Sequence, residues 1–151
     1  MLRAQLIKSN EIFPVIQELL KDGKTVRLPV TGTSMHPFLM EDRDSVELST
    51  SLFSEVKSGN IVLILRKNGQ YILHRVITKT DNCFYIVGDA QQEIEGPLYP
   101  NQLIAVVTSV WKKKKHIQCS NLWWKTLSYV WLKLRPFRYF IMRIQRFILA
   151  K

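Results

Sequence analysis

A mainly antiparallel β fold is predicted by three observations on this 151-residue sequence. Six short runs rich in β-branched and aromatic residues succeed one another: "TVRLPV", "DSVEL", "IVLILR", "YILHRVI", "CFYIV" and "LIAVVTSVW". Turn signals separate them, among them "SGN", "KNGQ", "TKTDN" and "GPLYPN". Between two of the runs, "RKNGQY" reads as a hairpin with a type I′ turn at Asn68-Gly69, which makes "IVLILR" and "YILHRVI" antiparallel neighbours. A hydrophobic content of 46% with ordinary Gly and Pro counts fits one domain with a genuine core and excludes a disordered chain.

Helices are expected at the two ends of the chain. Asn10 can cap a short one whose apolar face is Ile12, Val15, Ile16, Leu19 and Leu20. Pro14 falls in its first turns, and Gly23 is its stop. At the other end, Ser120 and Asn121 offer a cap for "LWWKTLSYVWLKLRPFRYFIMRIQRFILAK". There Trp123, Leu127, Val130, Leu134, Phe137, Ile141, Ile144 and Ile148 alternate four and three residues apart, so they share one helical face. Pro136 kinks this helix or begins a second one.

Charge divides the chain more sharply than hydropathy does. Up to Val110 there are 11 Lys/Arg and 12 Asp/Glu, whereas from Trp111 onward there are 11 Lys/Arg and no acid. The division expected is therefore a near-neutral body, 1–110, and a cationic amphipathic appendage, 111–151. Half of the 16 aromatics lie in residues 120–151. A basic, Trp-bearing amphipathic helix suits an anionic membrane surface, which residues 121–150 are expected to contact without crossing. The rival is that its apolar face packs on the body or on a partner helix. Nucleic acid is not the partner expected, because a phosphate-binding surface has no use for a long apolar stripe.

Charges interrupt every apolar run before it could span a bilayer, and the N-terminus lacks a secretory h-region. Peripheral membrane association is expected, on the cytoplasmic side, with a cytoplasmic protein as the outcome if the tail packs on protein. Cys83 and Cys119 lack CxxC spacing and read as reduced, buried thiols. Asp42, Asp44 and Glu47 read as turn and strand-edge charges, so neither metal nor cofactor is expected.

Three boxes stand apart from this scaffold. In "TGTSMHP", Gly32 permits a positive φ, Pro37 stiffens the exit, and Met35 can anchor the turn from below, so Ser34 is presented with few conformational choices. "YILHRVI" puts His74 on the return strand of the hairpin, and "VGDAQQEIEG" puts Asp89, Glu93 and Glu95 on a loop between strands. A serine hydroxyl needs a base to take its proton, an imidazole can do so near neutral pH, and a carboxylate can fix its tautomer. His36 lies on the same turn as Ser34, too close to be its base, and is expected to be exposed near substrate. His116 is expected to be solvated.

The order Ser-Met-x-Pro at Ser34–Pro37, Gly-Asn-Ile-Val at Gly59–Val62, a basic residue before Arg-Val-Ile at His74–Ile77, and Gly-Asp at Gly88–Asp89 resembles type I signal peptidases and their superfamily. That superfamily includes the self-cleaving repressors of the bacterial damage response. The similarity runs from about Val26 to Val107. It implies a compact antiparallel β catalytic domain that cleaves peptide bonds without a cofactor. Most bacterial members carry lysine where this chain has His74; histidine marks the endoplasmic-reticulum and archaeal branch. The resemblance implies Ser34 as nucleophile and His74 as general base. Asp89 matches the Gly-Asp aspartate and Glu95 falls near the second acid box; Asp89, directly at the end of "CFYIV", is the expected partner of His74. Gly32 stands where many members carry a serine, so the oxyanion hole is expected from the Ser34 N–H and the Thr33 hydroxyl.

The function expected is a signal-peptidase-like serine endopeptidase acting on a leader or precursor peptide at or near a membrane. The alternatives are a non-catalytic membrane-binding or interaction protein on the same scaffold and, less favoured, a self-cleaving regulator.

Overall fold

A computed structural model of the chain describes residues 9–150. The elements run α1 (Ser9–Lys21), β1 (Val26–Pro29), β2 (Asp44–Ser49), β3 (Ile61–Leu65), β4 (Tyr71–Lys79), β5 (Phe84–Val87), β6 (Glu95–Leu98), β7 (Leu103–Lys112), β8 (Lys115–Gln118), α2 (Leu122–Lys133) and α3 (Arg138–Leu149). The fold is mainly antiparallel β, as the strand runs predict. One sheet has the order β1-β2-β7-β3-β4-β5-β6, with β8 paired to β7. All six predicted runs form strands. The two short strands that were not expected, "EGPL" and "KHIQ", carry little β propensity and exist because β5 and β7 offer them free edges.

The central strand β3 reads as continuous apolar sequence because both of its faces are buried. Ile61 and Leu63 point into the larger core with Met35, Leu39, Leu48 and Val107; Val62 and Ile64 point into a second core with Val76, Phe84 and Ile86. α1 closes the larger core with Ile16 and Leu20, supported by Ile12 and Phe13. Val15, expected on that face, is exposed, and Asn10 lies inside the helix instead of capping it. The predicted stop is a Schellman motif: Lys24 N–H donates to Leu19 O, Gly23 N–H donates to Leu20 O, and Gly23 has φ +74°.

The β3–β4 hairpin forms with a different turn from the one predicted. Arg66 N–H donates to Gln70 O, and Gly69 N–H donates to Arg66 O. Gly69 has φ +87° while Asn68 is not left-handed, so the loop is Lys67-Asn68-Gly69, a three-residue turn with Gly in the left-handed position. A type I′ turn needs both central residues left-handed, and only one is.

The charge boundary at Val110 is not a structural one, since β7 runs through it to Lys112 and β8 extends the same sheet. α2 starts at a true cap, the Asn121 side chain accepting from Trp123 N–H at 2.9 Å. It docks by a stripe other than the predicted one. Trp124 (4% exposed), Ser128 and Trp131 (8%) face the core, where both tryptophans pack on Phe38. On α2 the predicted stripe is turned outward, with Trp123 at 72% and Leu127 and Val130 near half exposed, whereas its Ile141, farther along, packs against the larger core. Pro136 sits in a short 3-10 turn, Arg135–Phe137, from which α3 departs.

Trp124→Ala should therefore cost about 3–5 kcal/mol in denaturant unfolding. Trp123→Ala, at the adjacent position but turned outward, should stay within about 0.5 kcal/mol. Equal losses would mean that α2 docks by the other face.

Candidate active site

The Ser34 turn is built from its neighbours upward. Val30 N–H donates to Asp44 O as β1 ends. Gly32 takes φ +76°, and its N–H donates to Glu41 Oε2 at 2.9 Å. His36 N–H donates to Thr33 O, Leu39 N–H to Met35 O, and the Met35, Phe38 and Leu39 side chains are buried beneath. Ser34 is thereby held half-buried on a turn anchored from below, as the sequence predicts.

A second turn, Gly88–Gln91, locks against the first. Ala90 N–H donates to Ser34 O at 2.9 Å. A Cβ on Gly88 would lie 2.7 Å from Ser34 O and 2.7 Å from Gln91 Oε1, so the close approach excludes any side chain there. The β4–β5 pairing ends at Arg75 opposite Val87, so Gly88 begins its turn directly after the last paired residue of β5. Among the described residues no hydrogen bond joins the Ser34 hydroxyl to His74; the two side chains line separate cavities.

His74 is 5% exposed, and its Nδ1 is buried without a hydrogen-bond partner. Burial pushes the imidazole below the ordinary histidine value; the Glu95 charge pulls it up, Arg66 lowers it further, and Asp89 contributes a smaller upward pull. A neutral imidazole at neutral pH is the outcome.

The two carboxylates separate into different jobs, and the one expected to orient His74 does not. Asp89 gives both oxygens to Arg75, from Nε at 2.8 Å and Nη2 at 2.7 Å, with both side chains wholly buried. Alternation along β4 sends Arg75 to the face opposite His74, where its guanidinium also covers the Phe38 ring at 4.6 Å. Glu95, expected on a loop, is the first residue of β6 and lines the same cavity as His74. Arg66 holds it with two 2.7 Å hydrogen bonds, and those bonds keep its carboxyl below the usual glutamate value. Glu93 lines that cavity but is exposed.

Ser34 opens into a neighbouring cavity with Thr33 and His36. His36, expected to be exposed, is half-buried with an unpartnered Nε2. Gln91 lines both the Ser34 and the His74 cavities. It was not singled out from the sequence; its only signal is its place in the "GDAQQ" box. A smaller apolar cavity between β1 and β4, lined by Leu28, Leu73 and Tyr71, also reaches Ser34. His116 is exposed and stacks on Trp111, and Cys83 and Cys119 are half-buried free thiols, burial pushing Cys119 up to about 11. No cluster of three or more potential metal ligands occurs among the described residues.

No protein-family model matches this chain, and no curated protein matches it.

The split between the carboxylates has a measurable consequence. Asp89→Asn should destabilise the fold by about 3–5 kcal/mol, because it leaves the Arg75 charge buried and unpaired. Glu95→Gln breaks a pair about one third exposed and should cost no more than about 1 kcal/mol. Chemical denaturation of both variants checks the order.

Proposed function

We propose that the chain is a serine endopeptidase, with Ser34 as nucleophile and His74 as general base. One observation supports this above the others: a buried imidazole with an unpartnered Nδ1, kept neutral by its surroundings, lines a cavity that shares Gln91 with the cavity into which Ser34 opens. In the reaction Ser34 Oγ attacks the scissile carbonyl while His74 accepts its proton. His74 then passes that proton to the leaving amine, and water, activated by His74, hydrolyses the acyl-enzyme. Glu95 takes the acidic role in place of Asp89, stabilising the imidazolium by its charge. The developing oxyanion would be held by the Ser34 N–H, the Thr33 hydroxyl and the Gln91 amide. An extended peptide would add along the open edge of β1 and put an apolar side chain into the cavity between β1 and β4.

A fluorophosphonate probe tests this reading directly. It should form a covalent adduct on Ser34, abolished by Ser34→Ala and slowed about 10²–10⁴-fold by His74→Ala. Absence of an adduct on the folded protein would favour the non-catalytic reading. The acid limb of the rate profile should lie below the ordinary histidine value of about 6.5. His74 must be neutral to act, so the rate falls only as pH drops through its lowered folded pKa. Glu95→Gln removes a charge that raises that pKa, so its limb should move to lower pH still. The unfolded chain binds the additional proton in that same window, so stability also declines there as pH falls.

The second part of the proposal is attachment to an anionic membrane surface. No described helix is long and apolar enough to cross a membrane. Two outward faces support a peripheral mode: Trp123, Leu127 and Val130 on α2, and Phe140, Ile144, Phe147 and Ile148 on α3, with Lys and Arg residues beside them. Vesicles containing phosphatidylserine should sediment the protein, each cation near the surface contributing roughly 1 kcal/mol. High salt should weaken that binding without abolishing it. Trp123→Ser combined with Phe147→Ser should remove the salt-resistant part; unchanged binding would take these faces out of the membrane reading.

A further inference from the structure

α3 is fixed at its first residue to the turn that supports Ser34. The Arg138 side chain is 1% exposed; its Nη1 donates to Gly88 O at 3.2 Å and Gln91 O at 3.3 Å, and its Nε and Nη2 donate to Trp131 O. From that anchor Met142, Arg146 and Leu149 recur at helical spacing, and all three line the cavity into which Ser34 opens. This wall is distinct from the outward face carrying Phe140 and Ile144.

The charge of the cavity is one-sided. Its lining holds two arginines and no carboxylate. Arg43 is committed to Asp44 at 2.7 Å, and Asp44 also draws in Lys112. Arg146 makes no ion pair among the described residues, and no acid occurs in the sequence beyond Glu95 to supply one locally. A guanidinium beside two flexible apolar side chains binds a carboxylate well and repels a cation.

We propose that α3 forms a substrate subsite of the Ser34 cavity, in which Arg146 takes an acidic side chain of the peptide while Met142 and Leu149 cover an apolar neighbour. The proposal rests on the reading of Ser34 as nucleophile. It makes the C-terminal helix a determinant of which peptides are selected, in addition to its outward contact with lipid.

Competition for Ser34 tests it. Fluorophosphonate labelling of the full chain is timed with two hexapeptide pools of equal apolar content, one carrying Glu and the other Lys at the varied positions. Each protein is referred to its own unprotected labelling rate. The Glu pool should protect at concentrations about tenfold lower than the Lys pool. Arg146→Glu should invert that order, and Arg146→Ala should level it; Arg146 is exposed, so both variants keep the fold. Equal protection by the two pools, or an order unchanged in Arg146→Glu, would overturn the subsite while leaving the labelled nucleophile in place. Protection by phosphatidylserine vesicles but not by the Glu pool would assign Arg146 to lipid and overturn it as well. Failure of Ser34 to label at all would remove the catalytic reading, and the subsite with it.

Discussion

The ion pair between Arg75 and Asp89 is the constraint on which the candidate site depends. Both side chains are wholly buried, so each would be costly alone, and each is compensated by the other through two short hydrogen bonds. Arg75 gains a further acceptor in Gly59 O and the face of Phe38. The consequence is positional. With Asp89 immobilised, the turn around it offers its backbone to three other parts of the chain: Trp131 Nε1 donates to Asp89 O, Arg138 to Gly88 O and Gln91 O, and Ala90 N–H reaches Ser34 O. One turn thus joins the body, the helical tail and the serine loop.

Spending Asp89 in this way leaves His74 in an uncommon position. Its neighbour in sequence is fully paired, while it is buried with an orphaned nitrogen. Strand alternation produces the contrast, because consecutive residues of β4 enter different surroundings. The Glu95 charge that acts on His74 comes from β6, a strand held by β5 and by Arg66, and not from the turn. Structural and electrostatic roles are therefore carried by different carboxylates, so substitutions at the two should have separable effects on stability and on proton affinity.

The tail has two apolar stripes on one helix, and that resolves the choice between packing on protein and facing outward. Trp124 and Trp131 join the main core and bind α2 to the body; Trp123, Leu127 and Val130 remain outside. α3 repeats the arrangement, anchored by buried Arg138 and presenting phenylalanine and isoleucine outward. The tail is at once part of the fold and a surface left uncovered by it.

The sequence by itself determined the strand runs, the Gly23 stop, the Asn121 cap and the anchored Ser34 turn, because each depends on local torsion, local hydrogen bonds or period-two burial. It was also sufficient for the cationic bias of the tail, which is a property of composition. Tertiary structure alone decided what depends on partners distant in sequence. "EGPL" becomes a strand only because β5 has an edge to share, and Asp89 faces Arg75 only because β4 and β5 bring them together. The helical spacing of Trp123, Leu127 and Val130 marked a real apolar face. Which of two such faces turns inward was set by the fit of Trp124 and Trp131 around Phe38, a contact across some ninety residues of sequence that no local pattern encodes.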